Sequence, residues 1–62
     1  MIIVEGLQMN IIAVDDEKLA LESVMIAINK AKPEAKVQGF RHGIDAIKHV
    51  ENNICDVAFL DI

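Results

Sequence analysis

The chain has no tryptophan and no tyrosine, and its only aromatic residues are Phe40 and Phe59. Any core must therefore be aliphatic, built from Ile, Val, Leu, Ala and Met. It has a single cysteine, Cys55, which excludes an internal disulfide and fits a reducing compartment. It has no basic patch. Six Lys and Arg stand against ten Asp and Glu, giving a formal net charge of −4 and a pI near 4.9. That balance makes this segment a poor candidate for direct nucleic-acid binding. Long apolar runs are also missing. The longest, 24–28, and shorter ones such as 57–60 fall far short of the roughly 20 residues that a membrane helix needs. The N-terminus carries no basic n-region and too short an apolar stretch for a secretory signal. A cytoplasmic location without a membrane partner is the expectation.

What is present is a hydrophobic chain, 53 % apolar over 62 residues, with no low-complexity run. That composition argues against disorder. The length allows one small domain with a marginal core. Residues 1–8 fit poorly with the rest of the chain. They read either as an extension, with Met9 as the start of the domain, or as an added edge strand at 2–4. The domain itself is read over 9–62.

Apolar periodicity organises the domain. Asn10-Ile11-Ile12-Ala13-Val14 is apolar after its first residue, as a strand buried on both faces should be. Asp15 or Asp16 then caps a helix over about 17–32, where acidic groups complement the helix dipole. Ala20, Leu21, Val24, Met25, Ala27, Ile28 and Ala31 recur at helical spacing and form its inner face. Leu19 and Ile26 lie outward. Pro33 ends the helix, because it has no backbone donor to continue it. A second strand is predicted over 35–40 and a second helix over 43–51, with Ile44, Ala46, Ile47 and Val50 inward. Asn52-Asn53 marks a turn, and a third strand covers 54–60. The resulting β-α-β-α-β alternation implies an α/β domain with a parallel sheet and right-handed crossovers.

Chemistry concentrates in three aspartates. Asp15 and Asp16 follow the first strand, and Asp61 follows the third. If those strands are parallel neighbours, all three carboxylates meet at the carboxyl edge of the sheet, where open α/β sheets bind ligands. Crowded carboxylates repel one another unless a cation or proton relieves them. A hard divalent cation such as Mg²⁺ takes oxygen ligands. Taken singly, each aspartate has a plainer reading as a helix cap or a strand terminator.

Three blocks in order carry a family resemblance: Val14-Asp15-Asp16-Glu17, Gly43-Ile44-Asp45-Ala46-Ile47, and Cys55-Asp56-Val57-Ala58-Phe59-Leu60-Asp61-Ile62. Together they resemble the receiver domain of two-component response regulators, over residues 9–62. The resemblance implies a flavodoxin-like fold with strand order 2-1-3 for the part present. It implies that Asp61 accepts phosphate from a sensor histidine kinase. It also implies that Asp15, Asp16 and Asp61 hold Mg²⁺, with Asp16 the better choice for direct contact and Asp15 acting through water or an outer contact. Such a protein signals to an output, here transcription, and is not an enzyme in the ordinary sense. The third block is most similar to receivers attached to LytTR-type DNA-binding domains. The family's fourth and fifth strands, which supply a hydroxyl residue and a lysine to the phosphoryl group, have no counterpart in this sequence.

Other readings are weaker. A dinucleotide fold needs a Gly-rich turn after the first strand, and Asp-Asp-Glu would repel a pyrophosphate. Phosphatases of the haloacid-dehalogenase type space their two aspartates by one residue, whereas these are adjacent. A non-catalytic half-receiver that acts by association stays open. His42 and His49 read as surface residues of the second helix, with Asp45 and His49 a weak i,i+4 pair. Cys55 reads as a small buried filler. Without a further strand beside it, Val57–Leu60 becomes an open apolar edge that invites pairing with another chain. Homodimerisation, aggregation or partial folding is expected there.

Overall fold

The computed structural model describes residues 9–61. The expectations for residues 1–8 lie outside them. Five elements follow in order: β1 (Asn10–Val14), α1 (Lys18–Ala31), β2 (Lys36–Phe40), α2 (Gly43–Asn52) and β3 (Val57–Leu60). The strands form one parallel sheet ordered β2-β1-β3. The parallel α/β sheet is the one that the alternation predicts, and its order is the one that the family resemblance implies.

β1 is the centre of the molecule. Its Ile11, Ile12 and Ala13 are buried, because a middle strand of a doubly covered parallel sheet meets protein on both faces. Its odd-numbered side chains face α1. Ile11 and Ala13 pack with Leu21 and Ile28, and Met9, Val24, Met25, Ala35 and Val37 close around them. Gly39 of β2 lies under this helix. A Cβ there would collide with Met25 Sδ and come within 3.3 Å of the Leu21 methyls. The missing side chain lets α1 sit close to the sheet. After α1, the Lys32 N–H donates to the Ile28 carbonyl at 2.8 Å, and Pro33 prevents the helix from continuing.

The other face is thinner. Of the apolar residues expected to point inward from α2, only Ala46 is buried, whereas Ile44, Ile47 and Val50 are exposed. Their periodicity is right, but Ile47 and Val50 border a groove toward β1 and β3 that no further element among the described residues fills. Ala27 and Ala31 of α1, also expected inward, are exposed. Leu19 and Ile26 face outward as expected.

β3 is shorter than expected, beginning at Val57 instead of residue 54. Ahead of it, Asp56 is tied to the start of β1 by two contacts. Its N–H donates to the Asn10 carbonyl, and its Oδ2 accepts the Asn10 N–H, each at 2.8 Å. Cys55 is half-buried, and its thiol donates to the Val57 carbonyl at 3.4 Å. Side chains thus occupy the Asn10 N–H and the Val57 carbonyl, backbone groups that a longer ladder would use. All four residues of β3 are exposed.

Candidate functional site

The site is built by strand register. Val14 pairs with Phe40 on one side and Leu60 on the other. The residues immediately after these three, Arg41, Asp15 and Asp61, therefore stand in a row across the carboxyl edge of the sheet. Backbone hydrogen bonds fix the row. The Asp15 N–H donates to the Phe40 carbonyl, and the Asp61 N–H donates to the Val14 carbonyl, both at 3.0 Å.

Asp15 is the one buried polar or charged residue among those described, at 5 % exposure. Its Oδ1 accepts the Glu17 N–H at 2.9 Å. The bond closes a turn that leads the chain out of β1 and into α1. Capping differs from expectation. The N-cap position belongs to Glu17, no side chain caps the helix from there, and its first turn contains no acidic residue. Asp15 orders the turn from two residues upstream, while Asp16 is exposed and makes no side-chain cap.

Two grooves open on this edge. One, of about 210 Å³, is lined by Asp15 and Asp61 with Ala13, Leu21, Val24 and Phe59. The other, of about 440 Å³, brings Asp16 and Asp61 together with Arg41, His42, Gly43 and Ile44 at the start of α2. Asp61 borders both. All three sequence-selected aspartates thus reach the same edge, divided into two overlapping pairs. Among the described residues, no three His, Cys, Asp or Glu side chains gather as a ready-made metal cage.

That arrangement still suits Mg²⁺ chemically. The ion keeps several waters and commonly takes one or two carboxylates together with phosphate oxygens. Asp16 and Asp61, sharing a groove and both exposed, offer that kind of donor pair. Asp15, with one oxygen committed to Glu17, suits an outer position.

Sequence reasoning missed Arg41. Its guanidinium donates from Nη2 to the Asp16 carbonyl at 3.1 Å, placing a fixed positive charge beside the acidic pair. A basic residue directly after β2 was the available signal. His42 precedes α2 as its N-cap without a side-chain cap bond. His49 departs from its surface reading. It is half-buried, with its ring 5.2 Å from that of Phe40, and Asn53 Nδ2 lies 3.4 Å from its Nδ1.

No family model and no solved structure matches this chain. Among curated proteins, it is similar to Protein MrkE of Klebsiella pneumoniae, with 34 % identity over 61 residues. The alignment covers 98 % of this chain and 23 % of MrkE, so the chain spans about a quarter of that relative's length. No helix among the described residues is long and apolar enough to cross a membrane.

Proposed function

We propose that this chain is the first part of a cytoplasmic response-regulator receiver, in which Asp61 accepts a phosphoryl group from a sensor histidine kinase. The observation that carries the reading is the register that sets Asp61 beside Asp15 at one sheet edge, with Asp16 sharing its groove. The supporting sequence resemblance spans residues 9–62. In the transfer, an Asp61 oxygen forms a bond to phosphorus as the phosphorus–nitrogen bond of the donor phosphohistidine breaks. The donor histidine leaves as a neutral imidazole, and the product is an aspartyl phosphate. An anionic nucleophile approaching an anionic donor needs positive charge nearby. Mg²⁺ bound through Asp16 and Asp61 would supply it, and the Arg41 guanidinium adds to it. The output is transcription, through a domain outside this sequence.

The test is incubation of the full chain with acetyl phosphate and Mg²⁺, followed by intact mass. One added phosphoryl group, absent in Asp61→Asn, is expected. An unchanged mass in protein that is folded by circular dichroism would count against the reading.

A second reading is favoured by a specific observation, the exposure of β3 on both faces. The chain would then act by association, as a half-receiver that pairs with another chain. Association without any phosphoryl uptake is the outcome that selects it.

A further inference from the structure

The turn between β1 and α1 is gripped by the end of β2. Phe40, the last residue of that strand, accepts the Asp15 N–H through its carbonyl at 3.0 Å. Arg41, the next residue, donates from Nη2 to the Asp16 carbonyl at 3.1 Å. This second bond has a counterpart. The Asp16 carbonyl and the Glu17 N–H belong to one planar peptide unit, and in a trans peptide they point to opposite sides. The N–H donates to Asp15 Oδ1 at 2.9 Å. One peptide plane is therefore held from both sides, by a carboxylate on one and a guanidinium on the other.

Stability does not account for the Arg41 bond. Arg41 is exposed, and exposed charged contacts contribute little to folding. The consequence is geometric. Holding the plane fixes ψ of Asp16 and φ of Glu17, the soft dihedrals that flank it. Asp16 makes no side-chain cap bond, so its carboxylate takes its direction from the backbone. It borders the groove that Arg41 and Asp61 also line. Mg²⁺ demands near-ideal octahedral geometry, so a ligand whose backbone swings binds it less well.

We propose that Arg41 is a positioning residue for Asp16: by holding the Asp16–Glu17 peptide plane, it aims the Asp16 carboxylate at the groove shared with Asp61. The inference rests on the reading of Asp16 as a Mg²⁺ ligand. The contact joins the end of β2 to the turn after β1 and does not involve the outer edge of β3. Charge alone predicts the opposite sign. A guanidinium beside two carboxylates repels an incoming dication, so a purely electrostatic Arg41 lowers Mg²⁺ affinity and its removal raises it. A positioning Arg41 raises affinity, and its removal lowers it.

Two measurements on the full chain decide this. In calorimetric titration with Mg²⁺, Arg41→Ala should bind about tenfold more weakly than the unsubstituted chain, the lower end of what outer contacts to metal ligands contribute. The deficit should persist or widen in about 1 M salt, where exposed charges are screened within about 3 Å. Arg41→Lys, which keeps one donor for the single carbonyl, should recover most of the affinity. In amide hydrogen exchange without Mg²⁺, Arg41→Ala should exchange the Glu17 N–H severalfold faster, with the β1 amides and the urea midpoint unchanged. Equal or tighter Mg²⁺ binding by Arg41→Ala, a deficit that vanishes in high salt, or an unchanged Glu17 exchange rate would each overturn the proposal. So would faster exchange throughout β1, which marks a loss of folding instead of a lost contact. Failure of the underlying reading looks different: Asp16→Asn then binds Mg²⁺ as the unsubstituted chain does, whatever Arg41→Ala does.

Discussion

β1 and β3 are neighbours in one sheet, and both are largely apolar runs followed by an aspartate. β1 is buried through its centre, with Ala13 at 1 % exposure, whereas β3 is exposed throughout, with Phe59 at 47 % and Leu60 at 61 %. Composition does not separate them; coverage does. β1 has a strand on each side, α1 over one face and α2 over part of the other. β3 has one neighbouring strand, and the groove between it and α2, about 490 Å³ and lined by Ile12, Val14, Ala46, Ile47, Val50 and Leu60, stands open. The aspartates inherit the same contrast. Asp15, after the covered strand, is buried and hydrogen-bonded, while Asp61, after the uncovered one, is exposed. A carboxylate that orders a turn and one open to solvent are thus placed side by side.

Paired substitutions break this contrast at its strongest point. Ala13→Asp places an unpaired charge at the most buried site in the domain, so a loss above about 4 kcal/mol and failure to fold are expected. Circular dichroism reads this directly. Ile12→Ala, on the half-open face, should cost about 2–5 kcal/mol in urea denaturation. Its register partner Ala58 tolerates Ser within about 0.5 kcal/mol, because nothing covers it. At the site, Asp15→Ala removes the bond to the Glu17 N–H and should cost about 1 kcal/mol. Asp16→Asn, exposed and making no structural side-chain bond among those described, should leave stability unchanged within about 0.5 kcal/mol. It should nevertheless weaken Mg²⁺ binding in calorimetric titration. Equal affinity in the two proteins would remove Asp16 from the metal site.

The alternation of strands and helices was legible in the sequence from period, whereas the order 2-1-3, and with it the meeting of the aspartates at one edge, was implied by the family resemblance. A β-α-β-α-β alternation leaves few topologies, and β1 spans the expected residues, 10 to 14. Coverage was less legible. The spacing of Ile44, Ile47 and Val50 identifies a face of α2, but whether that face is buried depends on an opposing element that spacing cannot reveal. The start of β3 differs from expectation because the Asp56 carboxylate takes the Asn10 N–H of β1 and the Cys55 thiol donates to the Val57 carbonyl. Apolar character alone carries no sign of that. Arg41 escaped sequence reasoning for a related cause. Its role comes from a hydrogen bond to the Asp16 carbonyl, 25 residues away in sequence, made only when β2 pairs with β1.

The most direct measurement is localisation of an aspartyl phosphate. The protein would be treated with acetyl phosphate and Mg²⁺, the acyl phosphate trapped by borohydride reduction, and the peptides sequenced by mass spectrometry. Modification at position 61, and not at 15 or 16, is the predicted result. Modification at another carboxylate, or none at all in protein with an intact fold, would contradict the assignment of Asp61 as phosphoacceptor.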